Sequence, residues 1–430
     1  MNPPPRKLLI IGGGFAGLEC ARKLANDERF VITLVDRTNH HLFQPLLYQI
    51  ATASLAGPDI ARSIRQILAD AKNITVLMDE ISSIDPVAKH ATGNSGTVYH
   101  FDSLLLAAGA RTSYFGNNDW ANHSLGLKSL ADAQNIRRTV LSNLERAELT
   151  SNEDERRRLM TVAIVGGGPT GVELAGAFAD LVHRCLKSNF RRIDTAKLRV
   201  ILIEGSERIL ETYDLDQSAY ARQRLEKIGV EVRTDTRVTR VRDGALDFKD
   251  GTVLEAAAII WAAGIAASPL TAALGLPTDR AGRITPNPDL SLPGYPDIFV
   301  AGDLVSTKDR HSHLVPGVAP AAVQMGAHVA KILIGEFKKA PSRMPFSYFD
   351  KGMMAIIGKN YAVVKAGKLR LQGFIAWLAW LFIHIAFLVG FRNKLSVLLG
   401  WAYSYIINNP EARIIVNPPA ASTPGKVPLS

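Results

Sequence analysis

Leu8 to Ile11 form a short apolar run that enters Gly12-Gly13-Gly14-Phe15-Ala16-Gly17, followed by a helical pattern from Leu18 to Leu24. A second run, Val31 to Val35, ends at Asp36. Short apolar runs closed by glycine read as buried strands, and apolar positions recurring every three or four residues read as a helix. The segment therefore predicts a strand, a tight turn, a helix and a strand. The same order returns at Thr161 to Val165, Gly166-Gly167-Gly168-Pro169-Thr170-Gly171, a helix through Leu181, and Leu198 to Ile203 ending at Glu204. Between the two copies lie a strand-like run, Leu104 to Ala108, closed by Gly109, and a charged segment, Ala131 to Arg158, expected to be helical and solvated. Two late runs stop at glycine: Ala256 to Ala263 at Gly264, and Ile298 to Ala301 at Gly302-Asp303. This order predicts an α/β fold with two Rossmann-like dinucleotide-binding domains, the first interrupted by the second and then completed. The expected divisions are 1–115 with 288–340, then 116–287, a carboxy-terminal region 341–415 and a flexible tail 416–430.

Each glycine turn carries a specific chemistry. In such a turn the first glycine permits the bend, the second lets the backbone approach a pyrophosphate, and the third allows close helix-strand packing. Gly12, Gly14 and Gly17 fill these places in the first copy, and Gly166, Gly168 and Gly171 in the second. An acid closing the next strand, here Asp36 or Glu204, accepts hydrogen bonds from adenosine ribose hydroxyls. It also repels a 2′-phosphate. The second copy is thus expected to prefer NADH to NADPH, with Arg208 the nearest base.

Composition narrows the picture. At 430 residues the chain should form at least two packed units, and its 47% hydrophobic and 21% charged residues suit a globular protein. The net charge of +10 admits a polyanion or an anionic membrane, but no aromatic-basic motif or zinc-finger spacing accompanies it, so nucleic-acid binding is not expected. The two cysteines, Cys20 and Cys185, form no CxxC pair, which points away from a disulfide framework and from a thiolate metal site, and no metal is expected. The amino-terminal apolar run is broken by glycine too soon for a signal peptide.

The carboxy-terminal region changes character. Phe374 to Phe391 contains no acid or base apart from His384, and a second apolar run, Leu395 to Ile407, follows Arg392, Asn393 and Lys394. The first run is barely long enough for a bilayer span and the second is too short. Trp377, Trp380, Trp401, Tyr403 and Tyr405 suit a membrane interface, with Lys365, Lys368, Arg370, Arg392 and Lys394 drawn to anionic headgroups. Residues 374–407 are therefore expected to dock in one leaflet, with a single transmembrane helix as the runner-up.

The chain resembles the type II NADH:quinone oxidoreductases over nearly its whole length. The resemblance rests on His40-His41-Leu42-Phe43-Gln44-Pro45-Leu46-Leu47-Tyr48-Gln49, Gly168-Pro169-Thr170-Gly171-Val172-Glu173, Trp261-Ala262-Ala263-Gly264 and Gly302-Asp303, with Pro316 to Gln324 and Tyr348 to Ala355. It implies non-covalent FAD in the first copy and NADH, as substrate, in the second. It further implies electron transfer to a membrane quinone, ubiquinone or menaquinone, without proton pumping, at the cytoplasmic face of the cell membrane. A homodimer is compatible with it. By the same resemblance Glu173 lies where flavin and nicotinamide meet, Gln324 lies at the quinone-side edge of the flavin, and Lys351 is a further catalytic residue. Phe15, Ala16, Gln44, Gly109, Gly302, Asp303, Ala319 and Pro320 join the first glycine turn in holding FAD, and Pro169, Thr170 and Gly264 join the second. Many members carry Ala-Gln where this chain has Ala319-Pro320, and proline supplies no side-chain amide. Two other readings are a sulfide:quinone oxidoreductase, for which the two cysteines are misplaced, and a flavin-binding redox sensor, which would be reduced once and stop.

Overall fold

The computed structural model describes residues 4–182, 186, 189–338, 342–407 and 413–415; the expected tail 416–430, Cys185 and the side chain of Tyr405 lie outside the described residues. Strand β1 (Arg6–Ile11) leads through the first glycine turn into helix α1 (Phe15–Lys23) and strand β2 (Phe30–Asp36). Helix α2 (Leu47–Ala51) and strands β3 (Ile74–Met78), β4 (Ser103–Leu106) and β5 (Leu125–Gly126) follow. After helix α3 (Leu130–Leu149) comes the second unit: β6 (Thr161–Val165), α4 (Pro169–Asp180), β7 (Arg199–Ile203), β8 (Val230–Arg233) and β9 (Ala258–Trp261). The chain returns with β10 (Ser291–Leu292), β11 (Tyr295–Val300) and α5 (Ala319–Phe337). It ends in β12 (Met353–Ile356), β13 (Ala362–Ala366), β14 (Leu369–Gly373), α6 (Phe374–Phe387) and α7 (Phe391–Ile407).

The strands form two main sheets, ordered β10-β11-β4-β1-β2-β3 and β5-β9-β6-β7-β8, and β12-β13-β14 make a third. Within the two main sheets only β10 with β11 pairs antiparallel. Buried parallel strands need apolar side chains on both faces, and β4, β6 and β9 are buried along their whole length. Register brings the carboxyl ends level. Ile11 pairs with Val35 and with Leu106, and Val300 with Leu106, so the first glycine turn, Asp36, Gly109 and Gly302-Asp303 leave one edge. In the second sheet Val165 pairs with Ile203 and with Trp261, which gathers Gly166, Glu204 and Gly264. Ala110–Thr112 and Ile265–Ala267, the two crossings between the sheets, pair antiparallel and fix those edges relative to each other.

Helix α3 departs from expectation. It starts at a reciprocal cap, in which Ser129 Oγ accepts from the Asp132 N–H at 3.1 Å and Asp132 Oδ2 accepts from the Ser129 N–H at 2.8 Å. It is not merely solvated: Ala133, Ile136, Val140, Leu144 and Ala147 are buried on one face, in the same core as α2. The apolar stretch after Gly373 also differs from a single span, because it breaks between Phe387 and Phe391 into two helices. At 1.5 Å per residue the 14 residues of α6 reach about 21 Å, short of the ~30 Å hydrocarbon core. Among the described residues no helix is long and apolar enough to cross a membrane.

Candidate active site

The two turns show how their glycines work. Gly12 has φ +104°, and a Cβ there would stand 2.3 Å from the Ala107 carbonyl oxygen. Gly166 repeats this with φ +114° against Ala262 and Ala263 at 2.7 Å. Cβ atoms on Gly17 and Gly171 would fall 1.9 and 1.8 Å from the carbonyl oxygens of Gly12 and Gly166, which is the close packing expected of the third glycine. Gly14 and Gly168 are different. Nothing of the protein lies within 4 Å of a Cβ on either, so each faces open space at the start of a helix. Neither α1 nor α4 has a side-chain cap or an acid in its first turn, leaving amide N–H groups and the positive end of the dipole to an anion.

The terminal acids grip these turns directly. Asp36 Oδ2 accepts from the Gly13 N–H at 2.7 Å, and Glu204 Oε2 from the Gly167 N–H at 2.6 Å. The other oxygens take the Thr38 N–H at 2.7 Å and the Ser206 N–H at 2.8 Å. Arg208 spends its guanidinium on the carbonyls of Tyr213 and Glu211, at 3.0 and 2.6 Å. A base held that way is poorly placed to receive a 2′-phosphate.

A cavity of about 790 Å³ runs from the first turn to the second helix. Gly12, Gly14, Phe15, Ala16, Asp36, Gln44, Gly109, Gly302, Asp303 and Ala319 line it, and so do Thr170 and Glu173 near the amino end of α4. Helix α5 points its amino terminus here, with Pro320 in its first turn, where the missing N–H costs no helical bond. Gly326 of α5 lies so close to α1 that a Cβ would stand 2.1 Å from the Ala16 carbonyl oxygen. Gly17 and Gly171 sit beneath the turns, while Gly166, Gly168, Pro169, Glu204 and Gly264 border the second sheet's edge outside this cavity.

Glu173 is the most perturbed acid at the cavity. The residue lines the cavity, and burial pushes its carboxyl up to about 8. The Ile356 N–H donates to Oε1 at 3.3 Å, which opposes the rise in part. The indole N–H of Trp380, received by no acceptor within hydrogen-bonding distance, also works against it. Around it stand Tyr48 and Tyr213, whose hydroxyls are pushed up by burial and then by the Glu173 charge.

Gln324 and Lys351 do not line the cavity. Gln324 holds a loop: its Nε2 donates to the Phe349 carbonyl at 3.0 Å and its Oε1 accepts from the Phe349 N–H at 2.8 Å. Lys351 is exposed, with its ammonium 4.7 Å from the centre of the Phe387 ring on α6. Sequence reasoning assigned no role to Tyr48, although the residue stands in the decapeptide beginning at His40. It also missed the inward face of α6, where Ala376, Trp380 and His384 are buried at four-residue spacing. The Trp380 and His384 rings stack at 4.0 Å.

A family model described as pyridine nucleotide-disulphide oxidoreductase matches residues 6–326. The type II NADH:quinone oxidoreductase Ndh of Mycobacterium tuberculosis is 42% identical over 418 residues, covering 94% of this chain and 89% of its own. The chain belongs to the type II NADH:quinone oxidoreductases. Its fold is also that of NDH2 from Plasmodium falciparum, with a TM-score of 0.87 at 20% identity, covering 96% of this chain and 100% of the other. The sulfide:quinone oxidoreductase of Aquifex aeolicus superposes with a TM-score of 0.71 at 16% identity, covering 94% and 95%. This oxidoreductase differs from a sulfur-carrying enzyme at its thiols. Cys20 is fully buried in α1, burial pushes its thiol far up, and among the described residues no cysteine lines the cavity.

Proposed function

We propose that this oxidoreductase passes electrons from NADH through bound FAD to a membrane quinone, ubiquinone or menaquinone, without moving protons across the membrane. One observation carries the reading: the first glycine turn, the late Gly302-Asp303 pair and the first turn of α4 open into a single cavity. The residues fit FAD. Gly14 leaves the room a pyrophosphate needs, the first turn of α1 leaves its amides free, and Asp36 lines the cavity at the end of β2. In this reading residues 1–115 and 288–340 hold the flavin nucleotide and 116–287 hold NADH, with Glu204 and Gly168 as its ribose and phosphate contacts. When bound, FAD supplies a ring that takes two electrons from the nicotinamide and yields them to the quinone.

The chain's own residues set alignment and protons. Thr170 and Glu173, at the amino end of α4, face the flavin cavity and mark where the second nucleotide meets the first. Raised to about 8, the Glu173 carboxyl holds a proton at neutral pH and can give it on the quinone side. Gln324 keeps the Phe349 loop against α5, and Lys351 ties that loop to α6, so both act here by position.

Lipid docking belongs to α6 and α7. Phe374, Ile375, Phe382, Phe391 and Leu399 are all exposed, with Phe382 at 75% and Phe391 at 81%. Exposed apolar surface on this scale suits insertion into one leaflet at the cytoplasmic face. Of the five flanking bases, Lys365 and Arg370 are paired with Asp214, and Lys394 donates to the Ala386 carbonyl. Lys368, Arg392 and Lys394 form no ion pair among the described residues, so their charges remain for headgroup attraction. The test is an anaerobic titration of the flavin spectrum with NADH followed by a quinone analogue. The flavin should bleach and then recover; a colourless protein, or flavin that stays reduced beside quinone, overturns the reading.

A further inference from the structure

Three side chains connect the lipid-docking helix α7 to the cavity by bonds that all run one way. The Trp401 indole N–H donates to Gln49 Oε1 at 2.8 Å, and Gln49 Nε2 donates to the Tyr48 hydroxyl at 2.9 Å. Indole nitrogen can only donate, so it fixes which end of the Gln49 amide faces α7 and which faces Tyr48. Gln49 is buried, and α7 is held in place nearby: Asn393 Nδ2 donates to the carbonyls of Pro58 and Asp59, both at 3.0 Å. With its oxygen already accepting, Tyr48 has one proton left to give. Among the described residues no acceptor takes it, and Tyr48 lines the cavity beside Glu173. Burial keeps the hydroxyl protonated.

We propose that Tyr48 donates a hydrogen bond to a ring carbonyl oxygen of the quinone, and that Gln49 and Trp401 are positioning residues that aim this donor. The inference rests on the quinone reading above. It assigns Tyr48 to substrate contact without proton transfer, and it makes the seating of α7 part of acceptor recognition.

Turnover with a quinone analogue is compared with turnover using ferricyanide, an acceptor with no carbonyl to bind. In Tyr48→Phe the ratio of quinone to ferricyanide kcat/KM should fall about tenfold, the equivalent of about 1.4 kcal/mol. Gln49→Glu should match it while the phenol is intact, because a carboxylate accepts from both Trp401 and Tyr48 and consumes the free donor. The double variant should then be no worse than Tyr48→Phe alone. Trp401→Phe, which lets the Gln49 amide turn over, should lower the ratio less, through KM. A ratio unchanged in Tyr48→Phe, or a double variant showing the product of the two single losses, overturns the assignment. Native protein that reduces ferricyanide but no quinone overturns the quinone reading instead.

Discussion

Glu173→Gln isolates the perturbed carboxyl at the cavity, since glutamine keeps its shape and cannot titrate. In the native protein burial raises this group from an ordinary 4.5 to about 8. The fold favours the neutral acid, so folding takes up a proton between those pH values and stability falls as pH rises through them. At about 1.36 kcal/mol per pH unit, the loss across the window approaches about 5 kcal/mol, an upper bound because the residue lines a cavity that admits water. Native protein and variant should therefore unfold alike near pH 4.5, and the variant should be the more stable above about pH 8. Thermal midpoints measured across that range give the comparison. Quinone turnover supplies a second readout: in the native enzyme it should decline above about pH 8 as the donor proton is lost, while the variant is slower but flat there. Midpoints that run parallel at every pH would refute the burial-driven rise.

Three further outcomes follow from the geometry. Gly14→Ala should fold normally yet purify with little flavin, because its Cβ meets no protein atom within 4 Å but enters the cavity, whereas Gly17→Ala, 1.9 Å from a carbonyl oxygen, should lose about 3 kcal/mol or more of stability; flavin content and unfolding midpoints separate the two. Glu204→Gln removes the acid proposed to meet the adenosine ribose, and the NADPH-to-NADH ratio of kcat/KM should rise roughly tenfold. Phe382→Asp with Phe391→Asp withdraws two exposed rings from α6 and α7, worth about 1.5–3 kcal/mol each in lipid, so binding to anionic vesicles should weaken more than a hundredfold while ferricyanide turnover persists.

Both glycine turns were legible in the sequence because their chemistry is local. A bend at Gly12, room at Gly14 and contact at Gly17 each demand a missing Cβ, and the acid at the end of the next strand must be Asp36 or its like. The late strand ending at Gly302 was legible for the same reason. Tertiary neighbours were not. The buried face of α3 lies under a surplus of charge, and the close approach of Gly326 to α1 gives no sign beyond one glycine within a helix. In α6 nearly every residue is apolar, so periodicity cannot tell the buried Trp380 and His384 from Phe382, which faces out. The placement of Gln324 against the Phe349 backbone depended on a loop far along the chain.

In the proposed function one cavity brings nicotinamide and flavin together for direct hydride transfer. The most direct measurement is rapid anaerobic mixing of the oxidised enzyme with NADH carrying deuterium at the transferred position of C4. Bleaching of the flavin band should be slower than with ordinary NADH, with the label lost from the nucleotide. Equal rates, with the deuterium retained in the NAD⁺ produced, would contradict the account.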